Sequence, residues 1–317
     1  MRCLITGIGG FAGFHLASSL LTHGHEVGGV AWPPESWCAE ELPRLWVRTV
    51  DINHSDDIRA VIAEFAPEVI YHLAGIANVK IAWESKRAAL ETNFIGAFNV
   101  LDAAASLSPH PPRVLLVGSS EEYGPVPPER QPITENCELD PRNPYGVSKV
   151  AMEYLGKQYH RSLGLAVFLV RSFNHIGPRQ SPIFVASSFA KQIAEIECRK
   201  RDNTILVGNL DIRRDFTDVR DTVRAYSMVV ERGVPGDAYN VCSGTPIRVA
   251  SILDQLVASA ACTVHVAVDP ERCRAVDMPI FCGDSSKIRQ QCGWQPEIPI
   301  KQTLMDLLNY WRDIVKR

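Results

Sequence analysis

The chain has 317 residues, of which 46% are hydrophobic and 22% charged, with a formal net charge of −3. This is ordinary globular composition, long enough for a large domain carrying a smaller lobe, and the charge gives no reason to expect nucleic acid or an anionic membrane as partner. The nine cysteines are scattered with no CxxC pair, so neither a disulfide framework nor a metal site is expected, and the expected setting is a reducing cytoplasm.

From the N-terminus, residues 2–6 are a short apolar run that predicts a buried strand, too short for the core of a signal peptide. No later stretch approaches the length of a membrane span. Further strands are predicted at 26–31, 46–50, 69–73 and 113–118, with helices at 10–22, 55–65 and 94–105 between them. A helix starting near Tyr145 and a strand at 166–171 follow. Strands alternating with helices predict an α/β architecture with a parallel, doubly wound sheet. Residues 124–144 hold six prolines and predict a long ordered loop just before Tyr145. Beyond residue 172, helices are predicted at 185–200, 219–232, 249–260 and 300–315. The expected division is a main domain over residues 1–171, to which some later segments return, and a smaller mixed α/β lobe over residues 172–317.

The first predicted strand runs into Gly7-Ile8-Gly9-Gly10-Phe11-Ala12-Gly13 and then into a helix. Glycine removes the Cβ that keeps a pyrophosphate from the backbone, and a helix N-terminus supplies free N–H groups and a positive dipole. The GxxGxxG spacing of Gly7, Gly10 and Gly13, with Phe11 among them, therefore predicts a Rossmann-type dinucleotide loop. Three later segments suit the same ligand. Asp51 and Ile52 follow a strand, where a carboxylate can accept from an adenine amino group. Leu73 and Ala74 end the next strand, where a nucleotide can lie close to backbone, and Asn93 opens an apolar helix, where a buried amide can hold a strand or a water chain. The choice between NAD and NADP stays open. The second strand ends Val30-Ala31-Trp32-Pro33-Pro34, with neither an acidic partner for a ribose 2′-hydroxyl nor an arginine for a 2′-phosphate.

Tyr145 and Lys149 stand one helical turn apart on one face. A phenol with a pKa of about 10 is a poor base near neutrality, and a nearby ammonium is expected to lower that value so that the tyrosine can exchange protons with a sugar oxygen. The same lysine can bond a nicotinamide ribose. Ser119 follows the strand predicted at 113–118, at the carboxyl edge where open α/β sheets bind ligands, so its hydroxyl can bond the substrate oxygen.

On these residues the chain resembles the extended short-chain dehydrogenase/reductases that act on nucleotide sugars. The branch it resembles holds the GDP-mannose 4,6-dehydratases and the GDP-4-keto-6-deoxymannose reductases. The likeness is carried by residues 119–124 (SSEEYG), 144–149 (PYGVSK), 172–178 (SFNHIGP), 207–221 (VGNLDIRRDFTDVRD), 239–244 (YNVCSG) and 284–294. It implies that Asn174, Val185, Lys191, Asn209, Arg214 and Arg274 line a nucleotide-sugar pocket, where arginines suit a diphosphate, and that Ser119 and Glu121 also face substrate. Related enzymes dimerise through a four-helix bundle, for which helices 94–105 and 145–163 are the candidates.

The resemblance leaves two reactions. A reductase passes hydride to the C4 ketone of GDP-4-keto-6-deoxy-D-mannose, with Tyr145 as proton donor, and yields a GDP-6-deoxyhexose such as GDP-D-rhamnose. A 4,6-dehydratase needs an additional base for the C5 proton, and Glu121 occupies the place of that glutamate. SSEEYG, NHIGP and RRDFTDVRD are nearer to the reductases, and the short proline-rich segment after the second strand lacks the arginine-bearing loop of the dehydratases. A non-catalytic dinucleotide sensor would dispense with the proton-transfer residues, yet Ser119, Tyr145 and Lys149 are all present.

Overall fold

A computed structural model describes residues 1–33, 41–42, 45–107, 109–272 and 278–316. The first half lays down strands β1 (Arg2–Thr6), β2 (Glu26–Ala31), β3 (Trp46–Thr49), β4 (Val69–His72), β5 (Arg113–Ser119) and β6 (Val167–Ser172). Between them run helices α1 (Phe11–Thr22), α2 (Ser55–Phe65), α3 (Val79–Glu84), α4 (Lys86–Leu90), α5 (Gly96–Ala105) and α6 (Pro144–Leu163). The chain continues through β7 (Asn174–Ile176), α7 (Val185–Glu197), β8 (Thr204–Val207), β9 (Arg213–Asp218) and α8 (Val219–Arg232). It closes with β10 (Ala238–Val241), β11 (Pro246–Arg248), α9 (Val249–Ala258), β12 (His265–Val268), β13 (Ile280–Phe281), α10 (Ser286–Cys292) and α11 (Ile300–Lys316).

The main sheet has seven strands in the order β10-β6-β5-β4-β1-β2-β3. Every pairing in it is parallel. Such strands are covered on both faces, which is why they read as continuous apolar runs. Leu16, Leu20, Val223, Val229 and Trp294 pack one face; Ile58, Ile62, Val100, Leu101 and Met152 pack the other. The chain winds outward from β1 to β3, then returns to place β4 on the other side of β1. That reversal opens a crevice at the carboxyl ends of β1 and β4, where ligands bind in this architecture.

The smaller layer has its own core, including Phe189, Ile193, Leu253, Leu256, Leu304 and Trp311. Its sheet sets β11 antiparallel to β9, with β13 and β7 parallel to β9. Strand β10 pairs with β6 in the main sheet. The proline-rich segment after β5 is ordered by burial: Val126 and Ile133 pack with Tyr123, Phe173 and Cys242, and Ile133 N donates to Cys282 O at 2.9 Å.

Several helix boundaries differ from the periodicity, and two have a clear local cause. The helix predicted at 94–105 starts at Gly96, because Glu91–Ile95 form a π-turn. The helix predicted at 185–200 ends at Glu197, and Arg199 turns left-handed with φ 56°. Among the described residues no helix is long and apolar enough to cross a membrane, and the described cysteines are free.

Candidate active site

The glycine loop is pressed against the end of β4. Gly7 has φ 73°, and a Cβ on it would stand 2.7 Å from Ala74 N and Cα. A Cβ on Gly13 would stand 2.4 Å from Gly7 O. Backbone therefore meets backbone at both positions, and only glycine is tolerated. Gly10 caps α1 without a side-chain bond, and the first turn, which opens at Phe11, has no acidic residue. The first N–H groups of α1 are thus not claimed by a side-chain cap, which is the form of an anion cradle. Phe11 stacks on His175 at 5.7 Å between ring centroids, tying the loop to β7.

Thr6 and His72 close the floor beneath. Thr6 Oγ1 and His72 Nδ1 are 2.8 Å apart, and Ala74 N donates to Thr6 Oγ1 at 3.3 Å. Leu73 N donates to Thr6 O at 3.1 Å. Asp51 Oδ1 accepts from Asn53 N at 3.0 Å. Ile52 is buried and its carbonyl accepts from Asn99 Nδ2 at 2.9 Å, so its side chain serves the core. Asn93 sits in the π-turn, not at a helix start. There its Oδ1 accepts from Ile76 N at 2.7 Å while its Nδ2 donates to Ile76 O and to Ser148 Oγ. One buried amide thereby fastens the segment after β4 to α6. The extra residue of the π-turn aims it inward.

Ser119, Tyr145 and Lys149 converge between β5 and α6. The Ser119 hydroxyl accepts from Glu121 N at 3.2 Å and lies near enough to the Tyr145 hydroxyl to favour its ionised form. Lys149 Nζ donates to Val117 O at 2.8 Å and lies 6.0 Å from the Tyr145 ring centroid. A Cβ on Gly75 would be 2.7 Å from Asn93 Oδ1 and 3.6 Å from Lys149 Nζ, which places all three at one spot. Burial pushes the Lys149 ammonium down to about 8, against the pull of the Glu122 carboxyl. The Tyr145 phenol behaves contrary to expectation. Burial drives its pKa up, and the Ser119 hydroxyl only partly opposes this. Lys149 does not offset this, because burial brings its ammonium down to about 8 and its charge is lost before the enclosed phenol ionises.

Glu121 is half-buried beside this cluster, its Oε2 accepting from Asn143 Nδ2 at 2.8 Å. Asn143 is the N-cap of α6, with Pro144 following as the first helical residue.

Residues 4–307 match the family described as GDP-mannose 4,6 dehydratase. The chain belongs to that family. It is 33% identical over 315 residues to the GDP-6-deoxy-D-mannose reductase of Pseudomonas aeruginosa, covering 99% of this chain and 98% of that one. It is 26% identical to the GDP-mannose 4,6-dehydratase of Yersinia enterocolitica, covering 97% of this chain and 92% of the other. Among solved structures, RMD from Pseudomonas aeruginosa complexed with NADPH superposes with a TM-score of 0.87 at 32% identity, covering 99% of both chains. This family lies within the extended short-chain dehydrogenase/reductases of nucleotide sugars, and its α/β fold is the one described above.

The remaining residues implied by the family likeness lie on the smaller layer. Asn174 is exposed on β7 and pairs across to Phe216 of β9, the strand that carries Arg214. Arg214 Nη1 donates to the carbonyls of Arg213 and Met278 at 2.9 and 2.7 Å. Val185 opens α7 and is 38% exposed. Lys191 lies 3.6 Å from Glu195 and 5.6 Å from the Trp311 ring centroid. Asn209 Oδ1 accepts from Asp211 N at 3.0 Å in the turn before β9. Arg274, like Pro34 of the segment after the second strand, lies outside the described residues.

Sequence reasoning did not single out several residues that the structure packs around this cluster and the glycine loop: Thr6, His72, Glu122, Asn143 and His175. Asn143 carried a readable signal, since Asn before Pro at a helix start marks an N-cap. His72 and Glu122 carried none, because a strand histidine and a second glutamate look like ordinary polar residues until burial is known.

Proposed function

We propose that this protein is a cytoplasmic, NAD(P)H-dependent reductase that converts GDP-4-keto-6-deoxy-D-mannose to GDP-D-rhamnose. The observation that carries the reading is the Ser119–Tyr145–Lys149 group, buried at the carboxyl edge of the sheet beside a cradle that excludes any Cβ. The 33% likeness to a GDP-6-deoxy-D-mannose reductase supports the substrate, and the NADPH complex of RMD supports the cofactor class, with NAD and NADP both retained. The described cysteines, all unpaired, are in keeping with a cytoplasmic setting.

Gly7, Gly10, Phe11 and Gly13 would hold the pyrophosphate, Asp51 and Ile52 the adenine side, and Leu73, Ala74 and Asn93 the floor. Bound there, reduced nicotinamide supplies hydride to the C4 carbon. Ser119 donates to the carbonyl oxygen, and Tyr145 gives it a proton. A phenol kept protonated by burial is the form this step requires. Lys149, charged below about 8, steadies the phenolate left behind and can bond the ribose. Asn174, Val185, Lys191, Asn209, Arg214 and Arg274 would hold the nucleotide and sugar.

A second reading, 4,6-dehydration, is favoured by one feature: Glu121 stands beside the same group with one oxygen oriented by Asn143. The two readings separate on cofactor balance. Incubated with GDP-4-keto-6-deoxymannose, the protein should oxidise one reduced nicotinamide per sugar reduced. Conversion of GDP-mannose to the 4-keto sugar with no net cofactor change would establish the dehydratase instead.

The subunit is proposed to pair as a homodimer through α5 and α6. Phe98 and Val147 are 42% and 46% exposed and Tyr154 is 60% exposed on these helices, an apolar display that suits an interface between copies.

A further inference from the structure

The turn Ser120–Tyr123 sets two adjacent carboxyl groups beside the proton-transfer residues, and they have opposite surroundings. Glu121 is half-buried; Glu122 is 0% exposed. Glu122 Oε1 accepts from Ser119 N at 2.7 Å, so this carboxyl grips the residue whose hydroxyl neighbours Tyr145. Its other oxygen, Oε2, makes no hydrogen bond. Arg171 Nε lies 3.8 Å away, but that guanidinium is committed to Glu153, with Nε and Nη2 donating at 2.8 and 2.6 Å. Its Nη1 donates to Tyr123 OH and Glu135 O.

A buried carboxyl with an unmet oxygen is a net cost to the fold. One oxygen completes a capping box at the turn, and the buried, unmet second oxygen points to a further use. The groups facing Glu122 are Tyr145, Lys149 and Glu153 from α6, Arg171 from β6, and Ser119 from its own strand end. Of these, Glu153 is ionised and paired with Arg171 and with Lys157, whose Nζ donates to it at 2.6 Å. The Lys149 ammonium has only a neutral carbonyl as its hydrogen-bond acceptor. Glu122 is the buried acid that attracts it.

We propose that Glu122 is a positioning residue for proton transfer, fixing Ser119 against Tyr145 through the Ser119 amide and setting a buried carboxyl at the strand end where the Lys149 ammonium bonds the Val117 carbonyl. The proposal rests on the reading of Ser119, Tyr145 and Lys149 as the proton-transfer group. Burial and the Glu153 charge push the Glu122 carboxyl up to about 8, and burial pushes Lys149 down to about 8. Over that range each group's charge favours the other's. Ionisation of Glu122 therefore delays loss of the Lys149 proton.

The test compares Glu122→Gln and Glu122→Leu with the unsubstituted enzyme in steady-state reduction across pH. The glutamine oxygen still accepts from Ser119 N but cannot ionise. In that variant kcat near neutrality should fall by no more than about threefold, while its alkaline limb moves to lower pH by about one unit. Glu122→Leu loses both contributions, so kcat should fall about 10- to 100-fold with KM for the nucleotide sugar within about threefold. An alkaline limb unmoved in Glu122→Gln overturns the proposal, whether or not the leucine variant folds. So does a folded leucine variant with wild-type kcat throughout. A Tyr145→Phe variant run in parallel should be inactive; if it turns over normally, the underlying reading of the site fails instead.

Discussion

Asn143 is hydrogen-bonded in two directions: its Nδ2 donates to Glu121 Oε2 at 2.8 Å, and its Oδ1 accepts from Gly146 N at 2.8 Å. The residue that starts the helix bearing Tyr145 and Lys149 thus also orients the acidic side chain after β5. Asn143→Ala should remove an N-cap contribution of about 1 kcal/mol and lower the thermal midpoint measurably. If the protein is a reductase, kcat should fall by less than about tenfold, since Glu121 then has no proton to take. Calorimetry and turnover on one preparation check both; an unchanged midpoint contradicts the cap assignment.

Lys149 must be charged to steady the phenolate, and its ammonium is pushed down to about 8 by burial. The rate should therefore decline as pH rises through about 8, well below the usual lysine range of about 10. A kcat that stays flat to about pH 10 would show that Lys149 is not the group being titrated.

His72 is wholly buried, its Nε2 makes no hydrogen bond, and burial together with Lys149 pushes its pKa down to about 3. The folded value lies below the ordinary 6.5, so between these the unfolded chain binds more protons. The contribution is complete above 6.5 and is lost as pH falls toward 3, at up to about 1.4 kcal/mol per pH unit for one group. Denaturant unfolding of the wild type and His72→Asn over this window should show a shallower acid slope in the variant. Identical slopes would refute the assignment.

Gly7 combines a left-handed backbone with a Cβ position 2.7 Å from Ala74 N. Gly7→Ala should displace the loop from β4, cutting affinity for reduced nicotinamide dinucleotide by about 100-fold or more, an effect of about 3 kcal/mol. Titration followed by nicotinamide fluorescence measures this, and wild-type affinity would argue against the cradle.

Phe98 on α5 is 42% exposed in the single chain. If α5 and α6 pair with a second copy, Phe98→Asp should shift the sedimenting species from dimer to monomer without altering the circular dichroism spectrum. A wild-type that sediments as a monomer disposes of the dimer.

The alternation of β1 to β6 with their helices is visible in the sequence because parallel strands buried on both faces show as unbroken apolar runs. The glycine loop and the Tyr145–Lys149 spacing are visible for a similar reason: both lie within one strand–turn–helix or one helical turn. The pattern around Asn93 suggests a buried amide at a helix start, but the π-turn that carries it has no signature in residue pattern.

What sequence could not decide depends on contacts between distant segments. Two adjacent glutamates, Glu121 and Glu122, look alike as letters. Only the packing of α6 and β6 against the end of β5 buries one and leaves the other half in solvent. The ionisation of Tyr145 followed the same rule. The lysine one turn away predicts a lowered pKa, but the tertiary structure encloses the phenol and brings the Lys149 ammonium down to about 8, so desolvation wins. Residue type and spacing thus determined which groups are available at the site, and burial, which local sequence does not encode, decided their charge.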